Sequence, residues 1–262
     1  MNYFIIKAIS SFFIAGTWIA LSTILAERFG SKIGGLISNL PSNILISLIF
    51  IALVNDVTYV TDAIISIPIG ISICTVFLVI FIYLLKYKLL IASAVSVVLW
   101  FLLAIISSYF KSGSLAFNLI IYFFVSITAI FYLEKVLKIP TTQNSKKHYS
   151  TLQVIFRVFF SGSIVASIVV ISKFCNPYFT GIFSTFPAML LSTMIILSLN
   201  QGSKFAQSTG KILTLSLSNI VVYVLAVYFT YPIFGITLGT LISYLFSTLW
   251  IVFLYPLVKR LI

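Results

Sequence analysis

Along this chain, apolar residues run without interruption for the length of a bilayer-crossing helix, and polar residues gather in the short breaks between runs. Broken at charges, proline and glycine, the runs predict membrane spans near 4–25, 33–54, 63–85, 89–109, 115–133, 154–172, 178–199, 212–230 and 236–257. A hydrocarbon core needs about 20 apolar residues of helix to cross it, and these runs have that length. Transmembrane barrels instead alternate apolar and polar residues in strands of about ten, a pattern absent here. The expected fold class is therefore all-α, a polytopic transmembrane helix bundle of nine spans. The last two spans are separated only if Tyr231-Pro232-Ile233-Phe234-Gly235 forms a tight uncharged turn.

Sliding the sequence along itself aligns residues 11–55 with 157–201 at an offset of 146, with nine identities in 45 positions. Gly16/Gly162, Gly35/Gly181, Ser38/Ser184 and Pro41/Pro187 are among them. In a chain rich in Ile, Leu and Ser the count itself says little. The glycine and proline matches carry the weight, because these two residues set backbone geometry. Trp100 and Trp250 also occupy similar closing helices. The predicted plan is a four-span repeat over 1–110, a linker helix and cytoplasmic loop over 111–151, and a second four-span repeat over 152–262. A single linker helix starts the second half on the opposite side of the bilayer, as in inverted-repeat secondary transporters.

Composition excludes a soluble domain. The chain is 61% hydrophobic and 8% charged, against roughly 25% charged residues in soluble proteins. Its net charge of +12 would point to nucleic acid in a soluble protein. In a membrane protein Lys and Arg collect in cytoplasmic loops, so nucleic acid is not an expected partner. With nine spans, 13 basic residues fall on one side and three, Lys7, Lys111 and Lys173, on the other. That split predicts a cytoplasmic (inner) membrane protein with its N-terminus outside and its C-terminus cytoplasmic. Residues 1–25 lack a small-residue cleavage site and read as a retained first helix. Cys74 and Cys175 fit no disulfide framework or metal-ligand spacing and read as small buried hydrophobes.

Chemistry has few places to reside. A polar stretch, Gly34 to Asn43, falls early in the second span, and Thr180 to Pro187 falls early in the seventh. Proline removes a backbone donor and crowds the preceding turn, and in lipid a freed carbonyl must find a partner. The inverted plan brings the two prolines toward mid-bilayer from opposite faces, and interrupted helices in matching positions point to a transport site. The candidate substrate-binding residues are therefore Ser38, Asn39, Pro41, Ser42, Asn43, Ser184, Thr185 and Pro187. Restarted helix ends and side-chain amides there would favour an anionic group. An ordinary proline kink with Ser and Thr bonded back to the helix is the alternative left open. Gly16/Ala20 and Gly162/Ala166 read as close-packing faces, as do Gly235 and Gly239.

Glu134, beside Lys135 and Lys138, reads as a solvated interfacial acid, and Asp56 and Asp62 as parts of a solvated outer loop. No acid falls within the hydrocarbon core, so no metal site is expected. The single histidine, His148, lies in the longest cytoplasmic loop without a catalytic set or phosphate loop around it. No catalytic residue and no cofactor is expected, and the protein is not expected to be an enzyme.

The string Gly34-Gly35-Leu36-Ile37-Ser38-Asn39-Leu40-Pro41 resembles the Gly-Leu-Ile…Pro signature of GlpM-like small inner-membrane proteins, and Gly181 to Pro187 repeats it loosely. The resemblance implies a fused pair of four-span units in a bacterial inner membrane. The expected function is a secondary transporter or permease for a small polar or anionic solute, with an alternating-access site near the bilayer midplane. A non-transporting scaffold or assembly factor and a lipid flippase are the alternatives. Expected partners are membrane lipids and a small-molecule solute, with a homo-oligomer left open.

Overall fold

The computed structural model describes residues 2–28, 40–111, 113–139 and 150–261, and among them there is helix but no strand. The helices are α1 (Asn2–Arg28), α2 (Ser42–Val54), α3 (Val57–Leu84), α4 (Leu89–Tyr109), α5 (Leu115–Phe131), α6 (Thr151–Phe174), α7 (Pro177–Ser184), α8 (Ala188–Gln201), α9 (Ser203–Ser216) and α10 (Ser218–Leu261). A π-helical turn, Tyr132–Val136, extends α5. Among the described residues, seven helical stretches are long and apolar enough to cross a membrane. The chain is a multi-pass membrane protein.

Which side chains face inward supports this independently of helix length. In α4 the buried stripe is Ala92, Ser96, Trp100 and Ala104, while Leu90, Val98, Leu102 and Ile106 are exposed. In α5 it is Asn118, Tyr122, Ser126 and Ala129, with Ile120, Phe124, Ile127 and Phe131 outward. A water-facing helix turns its large apolar residues inward. These helices turn small and polar residues, with Trp100 and Tyr122, inward and their aliphatic and phenylalanine side chains outward, which is stable where the surroundings are hydrocarbon.

Helix α3 occupies the centre and is buried along most of its length. Asp56, expected in a solvated loop, caps its N-terminus by accepting from the Tyr59 N–H at 2.6 Å. Pro68 interrupts its backbone ladder, and the Asn118 amide donates to the nearby Ile65 carbonyl at 2.7 Å. The first helices of the two repeats, α1 and α6, pack through glycine. A Cβ on Gly16 would meet the Val158 side chain, and one on Gly162 would meet the Phe12 carbonyl oxygen. Element starts also recur: α2 and α8 begin at Ser42 and Ala188, α3 and α9 at Val57 and Ser203, each pair 146 residues apart.

The expected turn after Thr230 is present, but the reversal falls on Gly235 alone, at φ 70° and ψ −177°, a region open essentially to glycine. Pro232 stays helical, and nothing lies within 4 Å of a Cβ at Gly235, so this glycine serves the turn and not packing. The two limbs of α10 fold back on each other. The Ser247 hydroxyl donates to Asn219 Oδ1 at 2.6 Å and the Trp250 indole to the Ser218 hydroxyl at 3.0 Å. The preceding segment differs from the expected 212–230 span: α9 starts at Ser203 and breaks at Leu217, and α10 starts at Ser218.

Candidate functional site

The two prolines make the same local structure. Pro41 has φ −73° and ψ 53°, and Pro187 φ −79° and ψ 44°. The Ser42 N–H bonds to the Leu40 carbonyl at 2.6 Å and the Ala188 N–H to the Phe186 carbonyl at 2.8 Å. Each is an inverse γ-turn from which a helix departs. In the second half the chain is interrupted, with α7 ending at Ser184 and α8 beginning at Ala188. In the first half a helix begins at Ser42, while Ser38 and Asn39 lie outside the described residues.

An α-helix leaves its first N–H groups without intrahelical acceptors. Here the γ-turn takes the first, and neither helix has a side-chain cap. The N–H groups of Asn43, Ile44, Met189 and Leu190 are left with no acceptor among the described residues. All four residues line one cavity of about 80 Å³, room for several waters. Pro41, Ser42, Asn43, Ser184, Thr185 and Pro187, six of the candidates from the sequence, line it as well. Its walls pair across the repeat: Leu40/Phe186, Ile71/Leu217 and Cys74/Ile220 are each 146 positions apart. Two positive helix ends therefore face a shared space that no acidic side chain lines among the described residues.

The hydroxyls take a quieter part. Ser184 donates to the Gly181 carbonyl and Thr185 to the Ile182 carbonyl, both at 2.7 Å, and Ser42 to the Leu40 carbonyl at 3.3 Å. The Cys74 thiol lies 3.0 Å from the Thr185 carbonyl. These groups quiet the carbonyls around the breaks, as hydroxyls in kinked helices do, and present only lone pairs to the cavity. Asn43 differs, because its Oδ1 is buried with no partner. Among the described wall residues, its amide is the side chain left to meet an occupant.

Two further residues bear on the site. Arg157, counted among cytoplasmic basic residues from sequence, is 2% exposed, and its guanidinium lies 3.6 Å from the sulfur of Met189, a cavity wall residue. A cation is thus buried one side chain behind the cavity. Its position inside the predicted 154–172 span was the available signal, since an ionisable residue within a span points to function. Trp100 is fully buried, its ring 5.0 Å from that of Phe186 and 5.6 Å from that of Phe183, so α4 of the first repeat buttresses the break in the second. Trp250, paired with it on sequence, instead bonds within the α10 hairpin. Cys74 is buried as expected, whereas Cys175 is half-buried.

Fold and cavity together define a polytopic membrane protein built from two copies of one helical unit around a shared central space. The chain belongs to the family described as Protein of unknown function (DUF3147), whose model matches residues 8–113 and again 154–259. Both ends of the second match follow those of the first by 146 residues, so the tandem repeat is a property of the family match itself. No link to GlpM-like proteins is shown. No curated protein and no solved structure matches the chain.

Proposed function

We propose that this protein is a secondary transporter or permease for a small polar or anionic solute, with its site between two inverted halves near the bilayer midplane. The observation that carries the reading is the pair of proline-started helix N-termini, one from each repeat, facing one cavity. Inversion is supported by the α1–α6 contact: Gly16 meets Val158 while Gly162 meets Phe12, a reciprocal, antiparallel pairing of the kind a two-fold relation produces. Splitting the last stretch at Gly235 and counting the shorter apolar helix α2 alongside the seven long stretches gives nine apolar helical segments among the described residues. The 13-to-3 division of basic residues then favours an inner-membrane protein with its N-terminus outside and its C-terminus cytoplasmic. Backbone N–H donors at the two helix starts favour an anion over a cation.

The test is solute flux into liposomes holding the purified protein, across a panel of small anions and neutral polar solutes. For a transported solute that donates to Asn43 Oδ1, Asn43→Ala slows flux by about two- to tenfold, since such a hydrogen bond is worth about 0.5–1.5 kcal/mol. Unchanged flux in Asn43→Ala and in the Pro41→Ala/Pro187→Ala pair would take these residues out of the mechanism. The hydroxyls tied back to the backbone favour a second reading, a non-transporting scaffold. It predicts no flux of any solute and a cavity closed to water-borne probes.

A further inference from the structure

A second cavity lies at the end of α3 away from Asp56, and it differs from the central one in every respect. It encloses about 260 Å³ and is lined by Tyr83 and Lys86 at the end of α3, Lys204 and Gln207 in the first turns of α9, and Leu137 and Ile139 beyond α5. The central cavity is under a third of that volume. Because α3 and α9 belong to different repeats and residues 137–139 follow the linker helix, all three parts of the chain meet here.

The electrostatics are one-sided. Lys86 and Lys204 are exposed, and neither forms an ion pair among the described residues. Lys135 and Lys138 belong to the same connecting stretch, and Glu134, the acid on that stretch, is held by Lys211 at 3.2 Å. The Lys86 ammonium sits 3.9 Å from the centre of the Tyr83 ring, and the Tyr83 side chain beside it holds it above the usual lysine range. It stays charged at any physiological pH. Beside these cations the walls are apolar apart from Gln207, whose amide donates to the Ile82 carbonyl at 2.9 Å, and the apolar stretch of α3 that is long enough to cross a membrane ends at Leu84, two residues before Lys86. Cations above an apolar wall at the membrane edge match a lipid phosphate with its chains alongside.

We propose that this cavity binds the phosphate of an anionic phospholipid, held by Lys86 from the first repeat and Lys204 from the second. The site does not depend on the solute reading. Binding here would tie the two repeats together at one membrane face.

Thermal unfolding of the full chain in neutral detergent tests it, with added phosphatidylglycerol, phosphatidylcholine or inorganic phosphate. Phosphatidylglycerol is expected to raise Tm, and the other two to leave it unchanged. In Lys86→Gln/Lys204→Gln the lipid concentration at half-effect rises about thirtyfold, roughly fivefold for each lysine facing an anionic headgroup. The control Lys111→Gln/Lys173→Gln, altered elsewhere on the surface, keeps the full shift. An equal shift from phosphatidylcholine, or an undiminished one in Lys86→Gln/Lys204→Gln, overturns the proposal. A shift from inorganic phosphate equal to that from the lipid replaces it with a soluble phosphate site. Should the double variant not fold, native mass spectrometry of the two single variants decides by whether co-purified phosphatidylglycerol is lost.

Discussion

Removing one partner of the Lys211–Glu134 pair should not equal removing the other. The charges are 3.2 Å apart, with the Lys211 side chain 9% exposed and Glu134 28%. At an effective dielectric of 20 their gross attraction is about 5 kcal/mol, most of it offset by the desolvation of the lysine. Glu134→Gln leaves an ammonium buried without its counter-charge, a change that costs about 3–5 kcal/mol when a buried pair is broken. Lys211→Met leaves a carboxylate that can turn to water, and the methionine refills the space of the lysine stem. That loss is nearer the partly exposed pair's own worth, about 1 kcal/mol. The double variant Glu134→Gln/Lys211→Met buries no charge and should fall close to Lys211→Met, giving a coupling of about 3–5 kcal/mol in a double-mutant cycle. Equilibrium unfolding in mixed micelles, followed by tryptophan fluorescence, measures all four proteins. A Glu134→Gln variant as stable as the parent, or a Lys211→Met variant worse than Glu134→Gln, would show that the lysine is not confined as described.

Gly181→Ala puts a methyl group onto the Ala63 carbonyl and the Ser66 hydroxyl, so α7 must lift from α3 and stretch the Ser66–Tyr178 and Tyr59–Thr180 hydrogen bonds at 2.7 and 2.8 Å. A loss of about 3 kcal/mol should appear as a lower Tm and yield, and an unchanged Tm would contradict the close approach. Gly235→Ala has open space around its new methyl but forces alanine to φ 70°. It should cost about 1–3 kcal/mol in the same unfolding assay, and a silent substitution would mean that the α10 limbs reverse elsewhere.

The apolar runs and the reversal near Gly235 were legible because bilayer thickness sets the length of a run and a single positive-φ residue must end it. The proline pair was legible as a candidate, but kink and interruption look alike in sequence. The difference is whether the N–H groups after the proline find acceptors, and that depends on the packed surroundings of Asn43 and Met189. Lys211 was not legible as a buried group, and Arg157 only through its place inside the predicted 154–172 span. Both lie near the ends of apolar runs, where a basic residue normally reaches water. Their burial, at 2% and 8% exposure, is imposed by neighbours far along the chain, Met189 for the first and Glu134 for the second. Trp100 and Trp250 both lie in the last helix of their halves, but their contacts differ, and only Trp100 meets Phe183 and Phe186.

The two halves agree in backbone at the cavity and differ in side chains, and the agreement explains why so little sequence is shared. After each proline the N–H of the next residue closes the γ-turn, so the donors facing the cavity are main-chain groups at the following two positions. Any residue but proline supplies them. Ser42-Asn43-Ile44 and Ala188-Met189-Leu190 share no side chain, yet they present the same pair of N–H groups from helices that start 146 residues apart. What must match is the proline and the small residues around it, and nine identities in 45 positions are enough for that. The outward faces are held to no such match, because in hydrocarbon Leu, Ile, Val and Phe exchange at little cost. Divergence inside the cavity then makes its walls unlike: an amide at Asn43 on one side, and on the other a thioether with the Arg157 guanidinium behind it. The backbone donors repeat between the halves and the side-chain chemistry does not, so under the proposed transport reading an occupant held by both helix ends would still meet a different wall at each end.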